Sequence, residues 1–341
     1  MSNMTIQEAI QAISERRDLS SGEMTAVMNQ IMTGEATPAQ IGGFLIGLRM
    51  KGETIEEIAA AAGVMRSLSA RVAVDVPHLV DTCGTGGDQS KIFNVSTGSA
   101  FVCAAAGAQV AKHGNRSVSS SSGSADLLEA AGARIDLAPE QVGRCIEEVG
   151  IGFMFAPAHH NAMKHAIGPR KEMAVRTIFN VLGPLTNPAA APNQLLGVFT
   201  GELVEPLAYA LERLGSRHVL VVHSDDGLDE ISIAAPTQVA ELRNGLVSTW
   251  MLHPDEYGVH HETLQSLSVD SAEQSLKLIE RVLDGEPGAA RDMIVLNAGA
   301  AIYTSGVAGS IEEGVQRARE AIDSGAGRHK LRQFVEFTQS L

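Results

Sequence analysis

The sequence predicts an α/β protein in which a small all-helical domain precedes a larger α/β domain with a mostly parallel central sheet flanked by helices. Residues 1–72 contain helix-capping patterns and no strand-like alternation of apolar and polar residues. After Pro77, short β-branched or apolar segments alternate with Ala-rich helical ones, a pattern typical of βαβ units. No low-complexity linker separates the two parts, so we expect domains at 1–72 and 73–341 that pack together.

The first domain has clear helix starts. Segments 20–23 and 54–57 have the spacing of a capping box, in which a Ser or Thr and a Glu three residues later satisfy each other's backbone N–H groups. Thr37 precedes Pro38, a residue suited to the first turn of a helix. Apolar residues then recur at helical spacing at Ile41, Phe44, Leu45 and Leu48. These signals predict helices throughout this domain.

The larger domain has candidate strands and helices in alternation. The candidate strands lie at 79–82, 109–111, 151–155, 195–199 and 218–222, and the candidate helices include 96–106 and 125–131. Two further strand-like segments, 237–243 and 246–252, flank Asn244-Gly245, the strongest short signal for a β-hairpin. From Ser271 onward the sequence predicts helices. The segment 183–188, rich in Gly, Pro and Asn, is a candidate hinge.

Composition and charge argue against several classes of protein. Of 341 residues, 44% are hydrophobic and 19% are charged, which is enough apolar material for one large core or two smaller ones. The formal net charge is −14, so we expect no general binding of nucleic acid or of an anionic membrane, both of which need a basic surface. An anionic small substrate remains compatible with this charge, because local cations, backbone N–H groups and Mg²⁺ can outweigh the overall field.

The cysteines and the N-terminus bear on the cellular compartment. Cys83, Cys103 and Cys145 cannot all pair, and no C-x-x-C spacing occurs. Residues 1–17 have no apolar signal core, and nowhere do about 18 apolar residues follow one another. We therefore expect a soluble chain in the reducing cytoplasm, without a membrane span.

A glycine-rich segment follows the first candidate strand. It is D-T-C-G-T-G-G-D at 81–88, and Asn94-Val95-Ser96-Thr97 then opens a candidate helix. Glycines let backbone N–H groups approach an anion, and a helix N-terminus favours phosphate. A tight turn with a helix cap is the alternative for this segment. It is neither a P-loop, which would end in G-K-[ST], nor a dinucleotide fingerprint, because Gln89 takes the last glycine position.

A second polar segment, residues 112–124, follows the next candidate strand with the sequence K-H-G-N-R-S-V-S-S-S-S-G-S. Lys112 and Arg116, together with hydroxyl and backbone donors, suit phosphate or pyrophosphate. The alternative is a flexible Ser/Gly loop, but its cations and its place between a strand and a helix argue against that interpretation. Because consecutive parallel strands end at one edge of a sheet, we expect both segments to line one crevice.

A third segment, S-D-D-G-L-D-E at 224–230, follows the apolar strand at 218–222 and carries four carboxylates. Such groups repel each other unless a cation or solvent relieves them, and hard oxygen ligands suit Mg²⁺ held jointly with substrate phosphates. A solvated acidic loop is the alternative, and the spacing is not that of an EF-hand. The two segments suited to phosphate favour a metal site over a solvated acidic loop.

Segment 156–172 contains histidines and one notable cation. His160 and His165 are five residues apart and no H-E-x-x-H occurs, so we predict no zinc site and treat these histidines as pocket or structural residues. Arg170 could clamp a carboxylate through two parallel hydrogen bonds, although an isolated Arg at a helix start is more often solvated. Cys83 has no clear His partner, so we predict no cysteine nucleophile.

Six motifs, in this order, resemble the anthranilate phosphoribosyltransferase family over nearly the whole chain: D-T-C-G-T-G-G-D, F-N-V-S-T, K-H-G-N-R-S-V-S-S, F-A-P, N-V-L-G-P-L-T-N-P and G-L-D-E-I-S. The K-H-G-N-R stretch is the most specific, and the related pyrimidine nucleoside phosphorylases differ there. The resemblance implies a Mg²⁺-dependent homodimer that transfers the phosphoribosyl group of 5-phosphoribosyl 1-pyrophosphate to anthranilate in tryptophan biosynthesis. It also implies that the helical domain includes a return segment near 169–185.

The same resemblance implies the site residues. Both substrates would be bound by Gly84, Gly87, Asp88, Ile92, Asn94, Val95, Ser96, Thr97, Lys112, His113, Gly114, Asn115, Arg116, Ser117, Val118, Ser119, Ser120, Ser124 and Arg170. Mg²⁺ would be held by Ser96, Asp229 and Glu230. Lys112 and Arg170 would be catalytic, and Pro157, His160 and Met163 would line the approach of anthranilate. Ser121 departs from the family, which commonly has Lys there, so the pyrophosphate site would have one cation fewer.

The chemistry implied by this resemblance needs no strong base, because an aromatic amine is mostly neutral at pH 7 and already nucleophilic. Mg²⁺, Lys112 and loop N–H groups would stabilise the leaving pyrophosphate, and Arg170 would orient anthranilate by its carboxylate. The nearest alternative is a nucleoside phosphorylase-like enzyme that splits a nucleoside with inorganic phosphate. A non-catalytic, nucleic-acid-binding member of the fold is a second alternative, which the acidic charge disfavours.

Overall fold

The computed structural model describes residues 4–88, 90–117 and 122–341. The N-terminal part forms four helices: α1 (Ile6–Ser14), α2 (Ser21–Thr33), α3 (Pro38–Lys51) and α4 (Ile55–Leu68). Each begins with a capping box, in which the N-cap hydroxyl accepts from the N–H three residues on and the Glu or Gln there accepts from the N-cap N–H. The three helix starts predicted from the sequence are confirmed.

The larger part is built on a seven-stranded sheet with the spatial order β3-β2-β1-β4-β5-β6-β7. The strands are β1 (Leu79–Gly84), β2 (Gln109–Gly114), β3 (Ile151–Phe155), β4 (Asn193–Gly197), β5 (His218–Ser224), β6 (Thr237–Arg243) and β7 (Leu246–Leu252). Strands β1 to β5 pair in parallel, while β6 and β7 are antiparallel and extend the sheet beyond β5. Asn244 and Gly245 both have positive φ, as the predicted hairpin turn requires. The predicted mostly parallel sheet is confirmed.

Further helices lie between and after the strands in the sequence, and several of them flank the sheet. They are α5 (Val95–Ala105), α6 (Ser124–Ala130), α7 (Pro139–Arg144), α8 (Ala156–His159), α9 (Lys164–Met173), α10 (Phe179–Leu182), α11 (Val204–Arg213), α12 (Ala272–Leu283), α13 (Ala289–Thr304), α14 (Ile311–Asp323) and α15 (Ala326–Ser340). Helix α13 is buried along its length and packs against α5 and α14. None of the helices in these described ranges is long and apolar enough to cross a membrane.

Two clusters of buried apolar side chains hold the fold. One joins one face of the sheet to α5 and α12–α15. The other joins helices α1–α4 to α11, to the opposite face of β4 and β5, and to residues 166–185. The return segment therefore packs with the N-terminal helices, where α9 lies against α2 and α3. Because the second cluster spans both parts, the boundary between 1–72 and 73–341 stays a prediction.

The segment predicted as a hinge is anchored to the sheet. Residues Gly183–Thr186 form a short 3-10 turn whose Pro184 and Leu185 are buried. Gln194 Nε2 donates to the Pro184 carbonyl over 2.7 Å, and Asn187 Nδ2 donates to the Ala111 carbonyl over 2.8 Å. These contacts fix the turn against β4 and β2, so the hinge interpretation is not supported.

Candidate functional site

The three polar segments singled out in the sequence lie at the same edge of the sheet. They follow β1, β2 and β5, which are parallel, and β1 pairs with both β2 and β4 while β4 pairs with β5. The chain order reverses between β1 and β4, and this kind of reversal at the carboxyl edge of an open parallel sheet is where ligands bind. At this edge the glycine-rich segment contacts the acidic one through the Gly86 N–H and Asp229. The crevice expected between the glycine-rich and serine-rich segments stays a prediction, because residues 118–121 lie outside the described residues.

The glycine-rich turn after β1 approaches the acidic turn closely. The Gly86 N–H donates a 2.8 Å hydrogen bond to Asp229 Oδ2. A Cβ added to Gly84 would lie 2.4 Å from the same oxygen, so a larger residue there would displace the carboxylate. Gly86 and Gly87 have φ of 63° and 79°, a region that glycine adopts without strain. Glycine is therefore needed here both for the turn and for the approach of Asp229.

The start of helix α5 meets the second carboxylate of the acidic turn. The Ser96 N–H donates a 3.1 Å hydrogen bond to Glu230 Oε1. The buried ammonium of Lys112, on β2, donates to Ser96 Oγ over 3.2 Å and to the Thr82 carbonyl. Lys112 is only 3% exposed, so its charge acts with little screening by water. A cation, two carboxylates and two backbone N–H groups thus converge at this point.

The four carboxylates of the acidic turn divide into two pairs. Asp229 and Glu230 face the glycine-rich turn and α5, as described above. Asp226 instead accepts hydrogen bonds from Ser224 Oγ and Ser232 Oγ, and Asp225 is exposed beside Gln238. Only Asp229 and Glu230 are thus placed to share a ligand with the glycine-rich turn.

Burial makes ionisation of these two acids unfavourable. The pKa of Asp229 is raised by burial and by the charge of Asp88, and the pKa of Glu230 is raised by burial and by the charge of Asp229. The pKa of Lys112 is lowered by burial, against the pull of the neighbouring carboxylates. A cation bound beside Asp229 and Glu230 would remove their repulsion, so the donor set calls for positive charge.

A shared magnesium site fits this donor set. Within the described ranges, no three His, Cys, Asp or Glu side chains gather as a metal cage. Mg²⁺ needs no such cage, because it binds through one or two carboxylates and completes its shell with water and substrate phosphates. Asp229, Glu230 and the Ser96 hydroxyl supply hard oxygens next to N–H donors suited to those phosphates.

The serine-rich segment after β2 is held at both ends. The Asp126 Oδ2 atom accepts from the Ser117 N–H over 3.0 Å and from the Gly123 N–H over 2.8 Å. Asn94 bonds to Ser122 through both its amide nitrogen and its oxygen, and Ser275 Oγ donates to the same oxygen. Asn94, predicted to bind substrate, therefore joins the serine-rich segment to the start of α5.

Arg116 is engaged within its own segment. Its guanidinium pairs with Glu129 and, over 3.2 Å, with Asp126, and it lies 5.6 Å from the centre of the Phe155 ring. To contact a phosphate it would have to leave these carboxylates. Val118, Ser119 and Ser120, also predicted to bind substrate, lie outside the described residues, as does Ser121.

The remaining predicted binding residues lie around the same edge. Asp88 Oδ1 accepts from the Ser90 N–H, and Ile92 forms an isolated bridge with Ser268. Val95 and Thr97 are buried in the first turn of α5, where the Thr97 hydroxyl has no partner among the described residues. Ser124 lies 3.5 Å from the Asn115 carbonyl and touches the space that a Cβ on Gly114 would fill.

Two buried histidines lie side by side near the ends of β2 and β3. The His113 and His160 ring centres are 5.1 Å apart, and both Nε2 atoms are buried with no partner among the described residues. Burial, helped by the charge of His160, lowers the pKa of His113 to about 3, and burial with the charge of His159 lowers that of His160 to about 4. Both rings are therefore neutral at pH 7.

Arg170 on α9 is a cation that pairs with no carboxylate among the residues that the structure describes. Its guanidinium lies 5.2 Å from the centre of the Phe179 ring, and burial lowers its pKa. In the described part of the chain no oxygen accepts a hydrogen bond from its side chain. A partly buried guanidinium in this condition is suited to a carboxylate ligand. The Cys83 thiol is not suited to act as a nucleophile, because burial raises its pKa and keeps it protonated.

The sequence analysis did not identify some residues that support the site. Asp126, whose carboxylate holds the serine-rich segment, has an ordinary helix-start position. Arg176 donates to the Gly87 carbonyl across a long sequence separation. Asp81 accepts from the His113 N–H and is approached by Gln194, so it braces β1 against its neighbours. The only signal for Asp126 was a capping position, and no local signal marked Arg176.

Family models match both parts of the chain. The helical bundle domain of the glycosyl transferase family matches residues 7–69, and the a/b domain of that family matches residues 76–328. A curated relative from Thioalkalivibrio sulfidiphilus, an anthranilate phosphoribosyltransferase, is 65% identical over 99% of this chain and 100% of its own length. Another of the same name, from a Marinomonas species, is 60% identical over 98% of both chains.

Solved structures of enzymes with that name superpose closely. Anthranilate phosphoribosyltransferase from Thermus thermophilus gives a TM-score of 0.92 at 42% identity, covering 97% of this chain and 99% of that one. The Saccharomyces cerevisiae enzyme in complex with PRPP and Mg gives 0.90 at 28% identity, covering 100% and 99%. The same yeast enzyme in complex with 4-fluoroanthranilate gives 0.88 at 25% identity, with both chains fully covered.

Proposed function

This chain belongs to the glycosyl transferase family and, within it, to the anthranilate phosphoribosyltransferases, and from that premise we propose that it transfers the phosphoribosyl group of 5-phosphoribosyl 1-pyrophosphate to the amine of anthranilate. The products are N-(5-phosphoribosyl)anthranilate and pyrophosphate, within tryptophan biosynthesis. The observation that carries the proposal is the meeting of the Gly86 and Ser96 N–H groups with Asp229 and Glu230.

The sugar donor would be seated where these groups meet. Two N–H groups and two carboxylates lie within hydrogen-bond distance of each other, so a diphosphate and its Mg²⁺ would find donors and ligands in one place. We propose Ser96, Asp229 and Glu230 as the residues that hold Mg²⁺. When bound, the metal would supply charge neutralisation for the departing pyrophosphate. The glycine-rich and serine-rich segments would supply the remaining donors.

Lys112 would act on the leaving group electrostatically. Lys112 is 3% exposed, and its ammonium donates to the Ser96 hydroxyl at the start of α5. A fixed positive charge in such a dry position stabilises developing negative charge without any reorganisation of water. As the bond from C1 of the ribose to pyrophosphate breaks, Lys112 would therefore lower the barrier by holding its charge in place.

Anthranilate would be oriented by Arg170 and enclosed by neutral side chains. The Arg170 guanidinium lacks a carboxylate partner within the described ranges and would take the carboxylate of anthranilate in a forked pair. The neutral His113 and His160 rings would line the anthranilate site together with Pro157 and Met163. The aromatic amine is already nucleophilic, so we assign no general base.

A fluorescence assay tests the proposed function. Loss of anthranilate fluorescence should require both 5-phosphoribosyl 1-pyrophosphate and Mg²⁺, and omission of either should abolish it. Incubation with uridine or thymidine plus phosphate serves as the matched comparison. Phosphorolysis of a nucleoside without consumption of anthranilate would replace the proposal by a nucleoside phosphorylase activity.

The assembly, domain boundary and compartment are also proposals. We propose a homodimer that contacts through the exposed face of the N-terminal helices, domains at 1–72 with a return segment near 169–185 and at 73–341, and a cytoplasmic location. Exposed Met50, on α3, lies on such a face. Light scattering of the purified chain tests the dimer, and a monomer at assay concentrations would contradict it.

A further inference from the structure

Arg176 lies in the short segment between α9 and α10, and its side chain and its backbone make contacts in different directions. The segment leaves α9 through Ala174, which has a φ of 51°. The Arg176 side chain then reaches the glycine-rich turn after β1, while its backbone faces the N-terminal helices. None of these contacts involves a substrate-binding or metal-binding group named above other than Gly87.

The side chain of Arg176 holds the Gly87 carbonyl. Its Nη2 atom donates a hydrogen bond to that oxygen, and the guanidinium carbon lies 4.2 Å from the centre of the Phe199 ring. Stacking on an aromatic ring fixes the plane of a guanidinium and directs its donors. A Cβ added to Gly87 would lie 3.2 Å from the same Nη2 atom, so the side chain packs directly on the turn.

The backbone of Arg176 is tied to the helical part of the protein. Arg49, in the last turn of α3, donates through Nη1 to the Arg176 carbonyl over 2.6 Å. The next residue, Thr177, is buried and its N–H donates to Asn180 Oδ1. A continuous set of contacts therefore runs from α3 through Arg176 to Gly87, and from the neighbouring Gly86 to Asp229.

The glycine-rich turn needs an external restraint. Gly86 and Gly87 both have positive φ, and glycine loses more conformational freedom than any other residue when it is fixed. A hydrogen bond from a charged donor to the Gly87 carbonyl restrains the peptide between Gly87 and Asp88. The preceding residue, Gly86, donates its N–H to Asp229, so both ends of this two-glycine turn are tied. Preorganised donors are what a site for developing charge requires.

We propose that Arg176 is a positioning residue, which couples the conformation of the glycine-rich turn to the placement of the helical segment that carries Arg170. This inference rests on the proposed function. Arg176 touches no reacting atom; it sets the geometry in which the diphosphate and its Mg²⁺ are received. When the helical segment is in place, Arg176 holds the glycine-rich turn in its binding conformation. When the helical segment is displaced, Arg176 no longer restrains this turn.

Hydrogen–deuterium exchange of the peptide covering 84–94, without substrate, tests the coupling directly. In Arg176→Ala this peptide should exchange faster by about tenfold, the effect of losing one hydrogen bond from a charged donor. Arg176→Lys keeps a charged donor but not the flat group that stacks on Phe199. Its exchange rate for this peptide should lie between those of wild type and Arg176→Ala. Arg49→Ala should accelerate exchange in the same direction. Arg281→Ala, which removes an exposed Arg paired with Glu286, is the matched control and should leave this peptide unchanged.

Kinetics supply the second readout. Arg176→Ala should raise KM for 5-phosphoribosyl 1-pyrophosphate about tenfold with a smaller fall in kcat, and Arg176→Lys should restore part of it. Equal exchange of the 84–94 peptide in wild type and Arg176→Ala overturns the proposal, whatever happens to KM, because a raised KM with an unchanged turn marks a direct ligand. If the wild type consumes no anthranilate, the proposed function fails, while the exchange comparison still decides the coupling.

Discussion

The Ser96 N–H donates a 3.1 Å hydrogen bond to Glu230 Oε1, so the first turn of α5 and the acidic turn meet although 134 residues separate them in sequence. A helix N-terminus attracts negative charge through its free N–H groups and its dipole. Here the N-terminus of α5 already binds the Glu230 carboxylate, and the Asp229 carboxylate accepts a hydrogen bond from the Gly86 N–H. The same N–H groups that bind these carboxylates are therefore placed to bind phosphate when a cation draws the carboxylates to itself.

The first prediction concerns this pair of acids. Asp229→Asn combined with Glu230→Gln should raise the Mg²⁺ concentration for half-maximal activity by about tenfold or more, because the amides do not supply the negative charge that a hard cation prefers. Asp225→Asn, in the same turn but exposed, is the control and should behave as wild type. The measurement is the initial rate of anthranilate consumption against Mg²⁺. An unaltered Mg²⁺ response of the double variant would reduce the acidic turn to a solvated loop.

The second prediction concerns Arg170. Arg170→Ala should lower kcat/KM for anthranilate by about a hundredfold, because a forked pair between guanidinium and carboxylate is lost, while binding of 5-phosphoribosyl 1-pyrophosphate is largely retained. Arg213→Ala removes an exposed Arg elsewhere on the surface and serves as control. Steady-state kinetics with each substrate varied provide the test. Unchanged anthranilate kinetics would remove Arg170 from the site.

The sequence was most informative about the sheet and its edge. Runs of β-branched and apolar residues located the strands, and parallel strands necessarily place their following turns at one edge. It did not separate Asp229 and Glu230 from Asp225 and Asp226 by geometry, because all four share one short turn and differ only in the direction of the side chain. The resemblance, not the pattern, assigned that pair.

Contacts between distant segments were the least predictable. Arg176 and Gly87 are 89 residues apart, and the contact depends on how α9 packs against α3 before it returns to the sheet. No periodicity or local motif encodes such a docking. The hinge interpretation of 183–188 lacks support for a related reason, because Gly and Pro mark irregular backbone and do not tell whether that backbone is anchored.

The third prediction concerns the clamp on the serine-rich segment. Asp126→Asn should raise KM for 5-phosphoribosyl 1-pyrophosphate by several-fold, because the carboxylate bonds both the Ser117 and the Gly123 N–H groups. Burial opposes ionisation of Asp126, but these donors and Arg116 outweigh it and lower its pKa. Glu129→Gln is the matched control, since it removes a partner of Arg116 and no backbone contact. Equal KM values for the two variants would show that the clamp has no role in substrate binding.

The fourth prediction concerns acid stability. Burial and His159 lower the pKa of His160 to about 4, below its ordinary value of 6.5, so the unfolded chain binds a proton between these values that the folded protein does not. The stability that this neutral ring contributes is complete above pH 6.5 and is lost as the pH falls from 6.5 towards 4. Between pH 7 and 5, wild type should lose about 1–2 kcal/mol more than His160→Gln.

Urea denaturation at several pH values measures this difference. His260→Gln, which removes an exposed histidine, is measured alongside as the control. Parallel stability curves for wild type and His160→Gln would contradict the assignment of a buried, neutral His160.

Locating the metal decides whether the turns after β1, β2 and β5 together seat the sugar donor and its metal. Crystals grown with 5-phosphoribosyl 1-pyrophosphate and Mn²⁺, in place of Mg²⁺, should give an anomalous peak beside the Asp229 and Glu230 carboxylates and the Ser96 hydroxyl, with the diphosphate against the glycine-rich turn. A peak at another edge of the sheet, or a diphosphate bound away from these turns, would contradict the account.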